Sequence, residues 1–291
     1  MRVLLFMNPH ARRGDSLADE ARNALRAAGC VLVEEPMSDA NEMRSAMVQR
    51  RADADAVVVG GGDGSVITAI PGLLESGLPL GILPLGTFND LARTLAIPAA
   101  IEEAVEIIAA QTKRVVDVGH VNDAYFINEA SLGISTRIAH AQTSEVKKKF
   151  GLLSILSTTL ATLRYTRPFH VALEYEGKKE TFRTLQLTIA NSHHFGGFIT
   201  NKDAAIDDGF LDLYSLEVSN AFQMLQLLAP IIRGDVSASK RVRARRAKQF
   251  RVTSTRPRPI FADGEPAGET PAEFTVLPKA LTVFAPPEDS A

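Results

Sequence analysis

The sequence has little that could cross-link the chain or anchor it in a membrane. Its 291 residues include a single cysteine, Cys30, so an internal disulfide cannot form, which suits a reducing compartment. The N-terminal apolar run, Val3 to Met7, is too short for the core of a signal peptide. No other segment approaches the ~20 apolar residues of a membrane span. We therefore predict a cytoplasmic protein.

An excess of charge of one sign is also missing. Lys and Arg total 32 against 34 Asp and Glu, and the net charge of −2 excludes a globally basic nucleic-acid binder. A local asymmetry remains, because most residues in the segment 240–251 are basic and Arg241, Arg243 and Arg245 would share one face of a strand. This segment is either a solvated strand face or a contact for anionic phospholipid. Tryptophan is absent and Phe250 is the only aromatic residue there, so we expect no nucleic-acid partner.

The length predicts about two domains at ~150 residues per domain. Up to about residue 115, short apolar strands alternate with helices, which indicates a parallel α/β sheet. Beyond that point strands cluster, interrupted by predicted helices at 147–164 and 220–233, and this pattern is typical of an antiparallel sandwich or barrel. We place the boundary near residue 118, giving domains 1–118 and 119–279.

A glycine-rich turn is the strongest local signal. The apolar strand Val57–Val59 runs directly into Gly60-Gly61-Gly62-Asp63-Gly64-Ser65, and a helix follows. Glycines allow close backbone approach, and a helix N-terminus offers free N–H groups to phosphate. The Ser65 hydroxyl could bind a phosphate oxygen, and the Asp63 carboxylate beside the phosphates would suit a bound Mg²⁺. The lysine of a P-loop is missing, and Ser65 stands where the dinucleotide fingerprint needs glycine. A purely structural strand–helix turn is the alternative.

A second strand, Gly81–Leu83, ends in a similar turn, Leu85-Gly86-Thr87-Phe88-Asn89-Asp90. Thr87, Asn89 and Asp90 are also good helix caps, so capping alone would explain them. The first strand contributes Asn8 and the residues after it. Because parallel strands end at the same sheet edge, these three loops should converge, which favours a nucleotide cleft.

Several blocks, in this order, resemble the diacylglycerol kinase catalytic family, which includes bacterial lipid kinases and sphingosine kinases and is related to NAD kinases. They are Asn8-Pro9, Gly61-Gly62-Asp63-Gly64-Ser65, Leu85-Gly86-Thr87-Phe88-Asn89-Asp90, Asn128 with Gly133, Gly196-Gly197 followed by Asp207-Asp208-Gly209-Phe210-Leu211-Asp212, and Asp263-Gly264-Glu265-Pro266. The resemblance implies an N-terminal α/β domain with a parallel sheet and a C-terminal antiparallel β-sandwich domain. The active site would lie in the cleft between them, and the segment at about 280–291 would return to the first domain.

The resemblance also implies ATP- and Mg²⁺-dependent transfer of a phosphoryl group to a lipid hydroxyl, such as that of diacylglycerol, at the inner membrane surface. Some relatives suggest a homodimer. Glu265 would accept the proton, with Asp263 beside it, and two residues apart on a strand they would face the same way. Asp208 would bind Mg²⁺ with the main-chain oxygens of Ala205 and Phe210. The nucleotide would be held by Asn8, Gly61, Gly62, Asp63, Gly64, Ser65, Thr87, Asn89 and Asp90.

The sequence departs from the family pattern next to the first turn. Ser65 replaces the usual threonine but keeps the hydroxyl, whereas Ile67 and Thr68 stand where many members have Asn and Glu. Two alternatives therefore stay open. One is a kinase of a soluble alcohol, like the NAD kinases, with Asp63 contacting the substrate. The other is a non-catalytic nucleotide or lipid sensor.

Overall fold

The computed structural model describes residues 1–8, 14–37, 39–133, 167–192, 194–195, 199–200, 205–218, 223, 239 and 241–287. The predicted helix 147–164, nearly all of the predicted helix 220–233, the loop 9–13 and Gly196-Gly197 lie outside these residues. The chain divides into two compact units, one made of Met1–Val118 with Pro278–Ala291 and the other of Gly119–Leu277.

The first unit is built on a parallel sheet. Its strands are β1 (Arg2–Met7), β2 (Val31–Pro36), β3 (Ala56–Gly61) and β4 (Leu80–Pro84), arranged in the order β2-β1-β3-β4. The strands β1, β3 and β4 are almost wholly buried, which explains their continuous apolar runs. The helices are α1 (Gly14–Ala27), α2 (Ala40–Gln49), α3 (Asp63–Ser76), α4 (Asp90–Thr94) and α5 (Ile101–Ala110). The predicted parallel α/β domain is confirmed.

Helix α3 contains a proline in its interior. It begins at Asp63 and continues through Pro71 to Ser76. The helix packs closely on α2, where a Cβ added to Gly72 would lie 2.9 Å from the Arg44 Cα. This packing offsets the missing proline N–H, because tertiary contact can outweigh local propensity. Helix α5 was not predicted at all.

The second unit is antiparallel. One of its sheets has the order β14-β13-β10-β7-β16-β17, and in another β15 pairs with both β8 and β18. The strands, some of which continue into the first unit, are β5 (Lys113–Val121), β6 (Ala124–Phe126), β7 (Glu129–Gly133), β8 (Phe169–Tyr175), β9 (Lys178–Thr184), β10 (Gln186–Ala190), β11 (His194–Phe195), β12 (Ile199–Thr200), β13 (Leu211–Leu216), β14 (Val242–Ala247), β15 (Gln249–Ser254), β16 (Pro259–Ala262), β17 (Glu265–Glu269) and β18 (Ala272–Phe284).

One apolar core holds the second unit together. It includes Leu173 of β8, Ile189 of β10, Leu213 of β13 and Phe250 of β15, all with no exposed surface. Strands of both sheets therefore bury their inner faces in the same core, as in a sandwich. The predicted antiparallel C-terminal domain is confirmed.

Candidate functional site

The glycine turn of the first unit joins β3 to α3, and the end of β1 supports it. The backbone N–H of Asn8 donates to the Gly60 carbonyl at 2.8 Å, and Asn8 Nδ2 donates to Ser65 Oγ at 2.9 Å. Ser65 is buried. Asn8 therefore fixes both the glycine strand end and the position of the Ser65 hydroxyl.

The second turn, between β4 and α4, touches the first through its backbone. The Leu85 N–H donates to the Gly61 carbonyl at 2.9 Å. A Cβ added to Gly86 would lie 2.3 Å from the Gly62 Cα, a distance that no side chain tolerates. Only glycine fits at this contact, so the structure brings the two turns together as the shared sheet edge predicts.

Asp63 links the two turns through its side chain. Its Oδ1 accepts the Leu91 N–H at 3.3 Å, so the carboxylate lies at the N-terminus of α4. Burial raises the pKa of the Asp63 carboxyl, while backbone N–H groups, including those of Leu91, Asp90 and Asn89, oppose that rise. The sequence predicted a carboxylate beside the phosphates but gave no sign of this capping role, because Leu91 lies 28 residues further along the chain.

Asn89 shapes the second turn from within. It adopts a left-handed backbone conformation with φ of 51°. Its Oδ1 accepts the Gly86 N–H at 3.0 Å, and its Nδ2 donates to the carbonyls of Pro84 and Gly86 at 3.2 Å each. Thr87 is exposed, whereas Asp90 is buried with Arg93 3.6 Å away. Of the three polar side chains predicted in this turn, that of Thr87 is the most exposed.

The N-terminus of α3 opens beside Gly64. Apart from its chain neighbours and the backbone of its own helix, no described atom lies within 4 Å of the position that a Gly64 Cβ would occupy. In contrast, a Cβ on Gly61 would lie 2.2 Å from Ser65 Oγ. The first turn of a long helix thus faces free space, with a fixed hydroxyl nearby, and this arrangement suits a phosphate group.

In the second unit, Asp263 and Gly264 form the tight turn between β16 and β17. Both residues have positive φ, 44° and 90°, and Ala262 pairs with Glu265 across the turn. This geometry matches a type I′ hairpin turn. The prediction that Asp263 and Glu265 share a strand face is wrong, because the chain reverses direction between them.

The Asp263 carboxylate is held by main-chain N–H groups. Ile127 donates to Oδ2 at 2.6 Å, and Asn128 and Glu129 donate to Oδ1 at 3.0 and 2.9 Å. In return, the Asp263 N–H donates to the Glu129 carbonyl at 2.8 Å. These hydrogen bonds fix the Asp263 carboxylate against the segment Ile127–Glu129.

Buried polar side chains support the segment that Asp263 holds. Ser192 Oγ donates to Asn128 Oδ1 at 3.2 Å, and Asn191 Nδ2 donates to the Ile127 carbonyl at 3.0 Å. All three side chains are buried. Glu265, by contrast, is exposed, and among the described residues no hydrogen bond or ion pair engages its carboxylate. The hairpin thus has a rigid base and presents Glu265 to solvent.

The predicted Mg²⁺ residues form a different arrangement. Asp208 Oδ1 accepts the Phe210 N–H at 2.9 Å, and Oδ2 pairs with the Arg246 guanidinium. No cluster of three or more acidic, His or Cys ligands occurs within the described part of the chain. Because Oδ2 of Asp208 already pairs with a cation, Asp208 with the main-chain oxygens of Ala205 and Phe210 does not fit a Mg²⁺ site as the structure stands.

The basic stripe on β14 is paired with acids. Arg243 and Arg245 do share one strand face, but Arg243 donates to Glu217 at 2.5 Å and to Glu180 at 2.7 Å. Arg245 makes a bidentate contact with Glu180 at 2.7 and 2.9 Å. These charges are compensated within the unit, so this face is not the free basic surface that the sequence suggested. Glu180 was missed because it lies more than 60 residues from its partners.

We expect Glu180 to make stability depend on pH. The Arg245 hydrogen bonds lower the pKa of Glu180 to about 2, below its ordinary value of 4.5. Because the folded pKa is the lower one, the stabilisation is present above about pH 5 and is lost as pH falls towards 2. Glu180→Gln should reduce the free energy of unfolding at pH 7 by up to about 1 kcal/mol, measured in urea. Glu176→Gln, at the exposed ion pair with Lys178 in the turn between β8 and β9, is the control. Equal losses of stability in both variants would contradict a stabilising role of the Glu180 ion pairs.

No helix in the described ranges is long and apolar enough to cross a membrane.

Comparison with known families matches both parts of the chain. Residues 2–121 match the model of the diacylglycerol kinase catalytic domain. Residues 128–285 match the YegS C-terminal NAD kinase beta sandwich-like domain. Between them, these matches include both glycine turns and the Asp263-Gly264-Glu265-Pro266 hairpin.

Individual relatives agree with these models. The chain is 30% identical over 238 residues to a diacylglycerol kinase of Bacillus subtilis, covering 80% of this chain and 78% of that protein. It is 29% identical to a diacylglycerol kinase of Staphylococcus aureus, covering 80% and 75%. A crystal structure of a diacylglycerol kinase from Bacillus anthracis superposes with a TM-score of 0.78 at 26% identity, covering 98% of this chain and 97% of that one.

Proposed function

We propose that this chain, which belongs to the diacylglycerol kinase catalytic family, is a lipid kinase that transfers the γ-phosphoryl group of ATP to a lipid hydroxyl. The acceptor class is a membrane lipid with a free alcohol, such as diacylglycerol. Relatives that carry this name at about 30% identity support the acceptor class.

The open N-terminus of α3 is the observation that carries the proposal. Gly64 has free space around it, whereas the neighbouring positions Gly61, Gly62 and Gly86 are packed against protein atoms. A turn that needed glycine only for packing would have no reason to leave this one position open. Helix N–H groups beside a fixed Ser65 hydroxyl suit the phosphates of a nucleotide.

The residues of the first unit fit a nucleotide. In the proposal Gly62, Gly64 and Ser65 bind phosphate, and Thr87 offers its exposed hydroxyl. Asn8, Asp63 and Asn89 act indirectly, because they hold the two turns in place. Gly61 and Asp90 lie in the same two turns and are the remaining residues predicted to hold the nucleotide. Mg²⁺ would accompany the phosphates and offset their charge, which is the usual role of the divalent ion in phosphoryl transfer.

Glu265 is the proton acceptor in this proposal. The lipid oxygen attacks the γ-phosphorus, the bond from that phosphorus to the β–γ bridging oxygen breaks, and ADP leaves. The proton of the lipid hydroxyl passes to the Glu265 carboxylate, which is exposed and can meet a substrate. Asp263 does not take this proton, because its carboxylate is occupied by three backbone N–H groups. It is a positioning residue that fixes the turn carrying Glu265.

A lipid acceptor implies work at a membrane surface, which we propose to be the inner surface reached from the cytoplasm. The predicted contact of residues 240–251 with anionic phospholipid has little support, because Arg243, Arg245, Arg246 and Arg251 all pair with acids. The homodimer suggested by relatives stays a prediction.

An acceptor panel with γ-labelled ATP tests the function. Diacylglycerol, sphingosine, NAD and glycerol are offered in turn, with the lipids in mixed micelles. We expect labelled product that partitions into organic solvent with diacylglycerol. Product in the aqueous phase would support a soluble-alcohol kinase. ATP binding without transfer to any acceptor would support a sensor instead of an enzyme.

Gly64→Ala should separate nucleotide binding from folding. The new methyl group meets no described atom within 4 Å and the backbone conformation is not left-handed, so the melting temperature should stay within about 2 °C of the native value. The methyl group would occupy space needed by phosphate, so we expect ATP affinity, measured by calorimetry, to fall at least about tenfold, or ~1.4 kcal/mol.

Gly86→Ala is the contrasting variant. Its Cβ would lie 2.3 Å from the Gly62 backbone, so both stability and ATP binding should fall. Native ATP affinity in Gly64→Ala would show that the phosphates do not bind at the N-terminus of α3.

A further inference from the structure

The loop before β13 contains the residues for which the family resemblance implies a Mg²⁺ site. It runs through Asp208 and Phe210 and leads directly into Leu211, the first residue of β13. The structure disagrees with this site, and the disagreement concerns Arg246, a residue that the motif does not include.

Both oxygens of the Asp208 carboxylate are already in use. Oδ1 accepts the Phe210 N–H at 2.9 Å, which closes a short turn, and Oδ2 pairs with the Arg246 guanidinium. Arg246 reaches this position because it lies on β14 opposite Asp212 of β13 in the strand register. The sheet register itself therefore delivers the positive charge to the loop.

The aromatic ring of Phe210 holds that charge in place. The guanidinium carbon of Arg246 lies 4.9 Å from the ring centroid, and Lys248 Nζ lies 5.7 Å from the same centroid. Both distances fall within the range of cation–π attraction. Two side-chain cations thus lie against the Phe210 ring, next to the Asp208 carboxylate.

A divalent ion would find this environment unfavourable. Mg²⁺ needs about six oxygen ligands in octahedral geometry and usually one or two carboxylates. Here it would have to displace Arg246 from Asp208 and remain close to Lys248, which repels it. A guanidinium, by contrast, pairs with a carboxylate through directed N–H donors and stays protonated.

We propose that Arg246 is the built-in cation of this loop and replaces a divalent metal at Asp208. The loop is held by the set Asp208, Phe210 and Arg246, and its stability is independent of Mg²⁺. This inference does not depend on the proposed reaction, because any Mg²⁺ used in catalysis would arrive with the nucleotide.

Thermal unfolding of the full chain without nucleotide tests the proposal. Melting temperatures are measured in EDTA and in about 10 mM MgCl₂, with KCl added to equalise ionic strength, because a bound metal would stabilise the native state. We expect the native melting temperature to differ by less than about 1 °C between the two conditions. Stabilisation by more than about 3 °C that disappears in Asp208→Asn would overturn the proposal.

A double-mutant cycle in EDTA tests the pair itself. Arg246→Gln and Asp208→Asn should each lower the melting temperature, and the double variant should fall no further than the larger single effect, because the two residues act together. Strictly additive shifts, or no shift in Arg246→Gln, would contradict the pairing. Arg251→Gln is the matched control, since it breaks an exposed ion pair with Glu273 at 2.9 Å on another strand. We expect it to change the melting temperature by less than about 1 °C.

Discussion

Glu265→Gln is expected to lower the rate of phosphoryl transfer to diacylglycerol by about 10²–10⁴-fold, the range over which a general base contributes. The amide has nearly the same size as the carboxylate but cannot accept the proton of the attacking hydroxyl. Glu265 is exposed and makes no hydrogen bond or ion pair with the described residues, so folding should be unaffected. Steady-state kinetics give the rate, and calorimetry should show ATP affinity within about twofold of the native value.

The same strand provides the control for this experiment. Glu269→Gln removes another exposed carboxylate four residues further along β17, beyond the β-bulge that shifts the register of β17 against β16. We expect Glu269→Gln to retain native turnover. Native turnover in Glu265→Gln would exclude Glu265 as the base, and equal losses in both variants would indicate a general effect of charge at the hairpin.

Asp263→Asn is expected to cost both stability and turnover, although asparagine is a good residue for this turn. Asn-Gly is a preferred pair in type I′ turns, so the backbone conformation of Asp263 and Gly264 should persist. The amide keeps only one oxygen for the three N–H groups of residues 127–129. We expect the free energy of unfolding to fall by about 1–3 kcal/mol, measured by urea titration.

The pH profile separates a positioning role from a catalytic one. If Asp263 only holds the hairpin, Asp263→Asn should lower turnover while the residual activity keeps the native dependence on pH, because Glu265 still accepts the proton. The dependence of ATP affinity on pH should also be unchanged. A shifted or abolished acidic limb in Asp263→Asn, with stability preserved, would instead identify Asp263 as the titrating base.

Much of the fold followed from local patterns. Buried parallel strands appear as short apolar runs, and glycine at a strand end followed by a helix indicates a close-approach turn, so the first unit and both of its turns were predictable. The continuation of α3 through Pro71 and the presence of α5 were not predictable, because packing on neighbouring elements outweighed intrinsic helix preference. The antiparallel strands of the second unit were readable, but their register was not.

The individual roles of the acidic residues could not be predicted. Asp63 and Asp263 have the residue type that binds metal or accepts protons, yet each is held by backbone N–H groups elsewhere in its unit. Asp263 lies 134 residues from Glu129, one of its donors. Periodicity reports only which way neighbouring side chains face, and it contains no information about partners at such separations.

The sequence alone determined which chemical groups this protein has and where its strands end, because propensity, glycine conformation and side-chain alternation act over a few residues. It could not determine how its charges are distributed. The single cysteine and the balanced net charge excluded broad classes of protein, and the arginines of β14 suggested a basic surface. Only the tertiary structure brought Glu180, Glu217 and Asp208 to those arginines, because Coulomb attraction depends on distance in space and not on distance along the chain.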